Sequence, residues 1–86
     1  MPEQGKNIDV EKDIRELVAE ILETDPKDIP GSASFAKDLG MDSMMSLEVL
    51  AGIEKKYRIV IPEDTLPKFT NLNQTTKIVK DILNKK

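Results

Sequence analysis

Cysteine and histidine are both missing from these 86 residues. Their absence removes disulfide stapling, thiolate or imidazole metal sites, and any nucleophile or triad built on Cys or His. Whatever chemistry the chain takes part in must come from carboxylates, hydroxyls, lysines or a group added to it. Aromatic residues are nearly missing too, with two Phe, one Tyr and no Trp, which argues against stacked bases as the main ligand. Sixteen acidic against thirteen basic residues give a net charge of -3, the wrong sign for a nucleic-acid ligand. A partner with a basic surface is favoured. No apolar run approaches the length of a membrane span, and the polar opening Met1-Pro2-Glu3-Gln4-Gly5-Lys6-Asn7 is unlike a signal peptide. The expectation is a cytoplasmic, monomeric protein with one domain over 1–86, residues 1–8 forming a flexible tail.

What is present is helical periodicity. Val10, Ile14, Leu17, Val18, Ile21 and Leu22 recur at helical spacing, predicting a first helix from Val10 to Glu23, capped by Asp9 and closed by Asp25-Pro26. A second helix is predicted from Ser43 to Arg58. On its wheel Ser46, Val49, Leu50, Ile53 and Tyr57 share an inward face, while Met44, Leu47, Glu48, Ala51 and Lys55 share the opposite one. A last helix from Leu72 to about Leu83 turns Leu72, Thr76, Val79 and Leu83 inward, with a capping-box-like start at Asn71 and Gln74. Glu63 to Lys68 suits one short helical turn stopped around Pro67 and pinned by Leu66 and Phe69. The stretch Thr24 to Asp42 reads as a long loop anchored by Ile29, Phe35 and Leu39, and loops of that length usually have a function. The sum is an all-α bundle of three to four helices with one long crossover, its core including Leu17, Val18, Ile21, Phe35, Val49, Leu50, Ile53 and Val79.

The chemistry-bearing stretch is Phe35-Ala36-Lys37-Asp38-Leu39-Gly40-Met41-Asp42-Ser43-Met44, followed by the helix with Leu47, Glu48, Val49 and Leu50. With Ile61-Pro62-Glu63-Asp64 and Phe69-Thr70-Asn71-Leu72 further on, it resembles the acyl carrier protein family over nearly the whole span from the first helix to the last. That resemblance implies a 4'-phosphopantetheine arm, taken from coenzyme A and esterified to Ser43. It also implies recognition of Asp42 by a phosphopantetheinyl transferase, directly or through a metal. The carrier would not be a catalyst. Its partners would be acyl-activating, condensing and acyl-transferring enzymes of fatty-acid, polyketide or related lipid synthesis, with an acyl chain as cargo. Gly40-Met41-Asp42-Ser43 follows the acyl-carrier form and not the Gly-Gly-His-Ser or Gly-Gly-Asp-Ser of peptidyl carriers. Met45, Lys55 and Lys56 depart from the acidic second helix common in fatty-acid carriers, which implies a specialised member with dedicated partners.

Physical chemistry makes the same position sensible. A serine at the first residue of a helix holds its hydroxyl outside the ladder, and a phosphodiester there sits near free backbone N–H groups and the positive end of the dipole. Gly40 permits the tight turn that presents it. The competing reading of Ser43 is an ordinary helix cap. Met44, Leu47 and Ala51 on the outer face, rimmed by Glu48, form a candidate partner surface, where Glu48 and Glu54 would meet Lys or Arg. A rival function is therefore an unmodified helical adaptor docking through that face. Ser46 on the inner face would either leave room for an acyl chain or, as the favoured reading, bond its hydroxyl to a backbone carbonyl one turn back.

Overall fold

Asp9 starts the first helix, its Oδ1 accepting the Lys12 N–H at 3.0 Å, with Glu11 and Asp13 in the first turn favoured by the dipole. The computed structural model describes residues 9–85; the tail expected at 1–8 lies outside them. The elements are α1 (Val10–Leu22), a 3-10 turn at Pro26–Asp28, α2 (Ser43–Tyr57), a 3-10 helix at Glu63–Lys68 and α3 (Leu72–Asn84). This is the expected all-α bundle.

Both long helices that precede a loop end in the same way. Glu23 and Arg58 sit in the left-handed region at φ 59 and 56. The N–H of the following residue reaches back to a carbonyl of the last turn, Thr24 to Ala19 at 2.9 Å and Ile59 to Glu54 at 3.2 Å. α1 thus stops one residue before the predicted boundary, and the reversal at Glu23 ends it before Asp25-Pro26 is reached. At α3, Asn71 Oδ1 accepts the Gln74 N–H at 2.8 Å, as the sequence suggested.

α1 packs against both α2 and α3. Val10, Ile14, Val18, Ala19, Val49, Leu50, Ile53, Leu72 and Val79 are buried between them. Leu17 and Ile21, expected in the core, are only half-buried. They lie on the inward side of α1, but at the edge of its apolar stripe. Leu17 instead covers Gly52, where an added Cβ would stand 2.8 Å from Leu17 Cδ2, so the small residue lets α1 and α2 approach closely.

The long loop is neither structureless nor loose. Besides the Pro26–Asp28 turn, Ser34 and Asp38 form a small reciprocal knot, Asp38 Oδ2 accepting the Ser34 N–H at 2.8 Å and the Ser34 carbonyl accepting the Asp38 N–H at 2.9 Å, while Ser34 Oγ accepts the Lys37 N–H at 3.1 Å. Arg15 Nε on α1 donates to the Ile29 carbonyl at 3.1 Å. Asn73 N–H donates to the Gly31 carbonyl at 3.0 Å, and Phe35 N–H to the Thr70 carbonyl at 2.9 Å. With Ile29 and Phe35 buried and Leu39 partly so, the anchors act as predicted, and the loop delivers Gly40 to a fixed place. The 3-10 helix likewise runs through Pro67 to Lys68, since Pro lacks only a donor that so short a helix barely uses.

Candidate functional site

Three consecutive features set the start of α2. Gly40 takes φ +71 with no atom within 4 Å of a built Cβ, so glycine is needed there for backbone conformation and not for space. Met41 then turns inward, buried to 6% exposure, and its N–H donates to the Phe35 carbonyl at 2.8 Å. Asp42 is the N-cap: its Oδ1 accepts the Met45 N–H at 2.9 Å.

That assignment overturns the cap reading of Ser43. Ser43 is the first helical residue and is exposed; the capping bond belongs to its neighbour. Its hydroxyl stands at a helix N-terminus, beside backbone N–H groups that favour an anion. An esterified phosphate therefore suits the place, with no hydrogen bond of the hydroxyl among the described residues and the scaffold bond made by Asp42.

Beside Ser43 lies a cleft of about 270 Å³ lined by Ser43, Ser46, Leu47, Leu66 and Pro67. α2 forms one wall and the Glu63–Lys68 helix the other. A smaller recess of about 180 Å³ shares Ser46 and Pro67 with it and reaches Phe35, Met41 and Phe69. The back-bond favoured for the Ser46 hydroxyl is not among the side-chain hydrogen bonds of the described residues; Ser46 instead lines both spaces.

The outer stripe of α2 is where the wheel puts it. Met44 is 71% and Leu47 41% exposed, and Glu48 and Ala51 are exposed beside them. Glu54 is a correction. It does not wait for a partner, because its Oε2 accepts the Ile61 N–H at 2.7 Å. Sequence reasoning missed the burial of Met41, whose only signal was an apolar residue between Gly40 and Asp42, and, although it turned Tyr57 inward, it missed the bond that the Tyr57 hydroxyl donates to Asp13 Oδ2 at 2.6 Å. Burial, then the Asp13 carboxylate, push the Tyr57 phenol above its usual range.

A helical bundle that holds an exposed hydroxyl at the head of α2, next to a mostly apolar cleft, has the form of a scaffold for an attached group. The sequence pattern of the phosphopantetheine attachment site family matches residues 12–79. The chain is 34% identical over 79 residues to polyketide-8 synthase acyl carrier protein 2 of Streptomyces avermitilis, covering 92% of this chain and 91% of that one. It is 34% identical over 70 residues to an acyl carrier protein of Helicobacter pylori, covering 81% and 90%. An acyl carrier protein of Phenylobacterium zucineum is 32% identical over 75 residues, covering 87% and 95%. The chain belongs to the acyl carrier protein family and takes a covalently attached 4'-phosphopantetheine group.

Proposed function

We propose that Ser43 is the attachment residue and that the protein, without catalysing a reaction itself, hands acyl groups to enzymes of fatty-acid, polyketide or related lipid synthesis. The observation that carries this reading is the division of labour at the head of α2, where Asp42 makes the capping bond and the exposed Ser43 makes none. The attached group supplies a terminal thiol, the nucleophile this cysteine-free chain lacks. The chain's own residues orient it. Gly40 sets the turn, Asp42 holds the helix start and offers its charge to a phosphopantetheinyl transferase, and Leu47, Leu66 and Pro67 give an acyl chain an apolar wall to lie against.

Met44, Leu47, Glu48 and Ala51 form the docking face for the transferase and for the acyl-activating, condensing and acyl-transferring enzymes. An unmodified adaptor would use the same face, but it is set aside because the family binds phosphopantetheine. A cytoplasmic monomer belongs to the same reading. No helix among the described residues is long and apolar enough to cross a membrane. The polyketide carrier among the relatives and the plain acyl carrier proteins beside it support either pathway.

The test is intact mass after incubation with coenzyme A, magnesium and a broad-specificity phosphopantetheinyl transferase. One phosphopantetheine per chain is expected, and Ser43→Ala should abolish the gain while the circular-dichroism spectrum stays helical. Labelling of the alanine variant, or an unmodified wild type with several transferases, would sink the assignment.

A further inference from the structure

The exposed stripe of α2 changes character along its length. Near Ser43 it is apolar, with Met44, Leu47 and Ala51, and its one free exposed carboxylate is Glu48, because Glu54 is engaged with the Ile61 N–H. At the far end stand Lys55, Lys56 and Arg58, all exposed. Among the described residues the ion pair within 4.0 Å is Arg15 with Glu11, so none of these three cations is matched by close contact. Asp13, Glu16 and Glu20 of α1 share an open groove of about 520 Å³ with Lys55 and Lys56. Lys56 turns towards these carboxylates, and Lys55 continues the outer stripe with Arg58 just past its end. Two residues past Arg58, Val60 is held out in water at 83% exposure between the buried Ile59 and Ile61. Cations in a last helical turn suit the helix dipole, but the dipole does not account for an apolar side chain projecting beside them. A positive, part-apolar end on a chain of net charge -3 is a local complement to something negative.

We infer that the enzymes served by this carrier present carboxylates to Lys55, Lys56 and Arg58, with an apolar contact at Val60. The inference rests on the delivery role proposed above and adds the chemistry of the partner. It also fixes a distance. Lys55 follows Ser43 by a dozen residues of helix, so those carboxylates lie about 18 Å from the opening through which the Ser43-borne group enters the partner.

Two ketosynthases of known structure serve as probes, one with Asp or Glu and one with Lys or Arg about 18 Å from the mouth of its active-site tunnel. The same acyl group is loaded on wild type, Lys55→Glu/Lys56→Glu and Lys55→Gln/Lys56→Gln, with loading checked by mass and folding by circular dichroism. The glutamine pair removes charge without setting new carboxylates against Asp13, Glu16 and Glu20. We expect the glutamate pair to lose about tenfold in kcat/KM with the acidic enzyme and to gain with the basic one. Both effects should shrink as ionic strength rises from about 0.01 M to about 0.15 M, and the glutamine pair should fall between. Equal kcat/KM for all three proteins at low salt overturns the inference, as does tighter retention on vesicles of anionic lipid than on the acidic enzyme. A failure to load counts against Ser43 alone. Titration of the unloaded chains into the same two enzymes then decides docking by the same ordering of the three proteins.

Discussion

Glu54 and Ile61 are joined across the end of α2, the carboxylate Oε2 accepting the backbone N–H at 2.7 Å. A bond from an amide to a carboxylate is charge-assisted and stronger than a neutral one. It fixes the stretch that leads into the Glu63–Lys68 helix, an element with no buried residue and no side-chain cap of its own. The far end of that helix is held by buried Phe69. One wall of the Ser43 cleft, formed by Leu66 and Pro67, is therefore positioned from its two ends.

Glu54→Ala should cost about 1 to 3 kcal/mol by leaving the part-buried Ile61 N–H without its partner, and Glu54→Gln, which keeps an acceptor, should cost less. Urea denaturation measures both. Equal midpoints for wild type and Glu54→Ala would mean that water replaces the carboxylate without loss.

Tyr57 makes alkaline stability a second test. Below the ordinary phenol value of 10.0 both folded and unfolded chains keep the proton, and the stabilisation from the Asp13 bond is fully present. Above 10.0 the unfolded chain releases its proton first, so stability falls as pH climbs towards the raised folded value. Tyr57→Phe should be less stable than wild type at neutral pH by about 1 kcal/mol and should decline less steeply above pH 10. Parallel pH profiles for the two proteins would mean that burial and the bond to Asp13 do not raise the phenol's value.

Thr76 is buried on α3, and its Oγ1 has no hydrogen-bond partner among the described residues. Thr76→Val keeps the shape and removes the orphaned hydroxyl, so it should raise stability by about 1 kcal/mol. A shift of the urea midpoint to lower concentration would show that the hydroxyl is satisfied in solution.

At Gly40 the expected cost is conformational only, because a Cβ would meet nothing within 4 Å. Gly40→Ala should lose about 1 to 2 kcal/mol from the left-handed backbone, and Gly40→Asn less, since Asn tolerates that region better. Phosphopantetheine loading should slow in the same order. A more damaging Asn than Ala would point to crowding and not to φ.

Features that repeat locally were legible in the sequence. The stripe of Val10, Ile14 and Val18, the caps at Asp9 and Asn71, and the loop anchors Ile29 and Phe35 stand where spacing put them. Features that depend on residues meeting from afar were not. The bond between Tyr57 and Asp13 spans 44 residues, and the wheel of α2, which puts Glu48 on the outer face and Glu54 off it, gives no sign that Glu54 turns back to Ile61. Leu17 and Ile21 have core spacing, but whether a stripe's edge is covered depends on how closely the neighbouring helix approaches, and Gly52 sets that. At the candidate site, the sequence was enough to put Gly40, Asp42 and Ser43 at the head of α2. Which of Asp42 and Ser43 makes the capping bond was decided by the N-cap geometry.

That geometry separates a chemical event from the architecture beneath it. The bond that begins α2 runs from Met45 to Asp42, so esterification at the proposed Ser43 position withdraws nothing from the helix. Arming the protein and stripping it again should leave the bonds of the bundle as they are, and the armed form should gain only about 0.3 to 1 kcal/mol from its anion at the helix N-terminus. Enzymes that tell the armed form from the bare one would then have to read the appendage itself, for the scaffold keeps no memory of it.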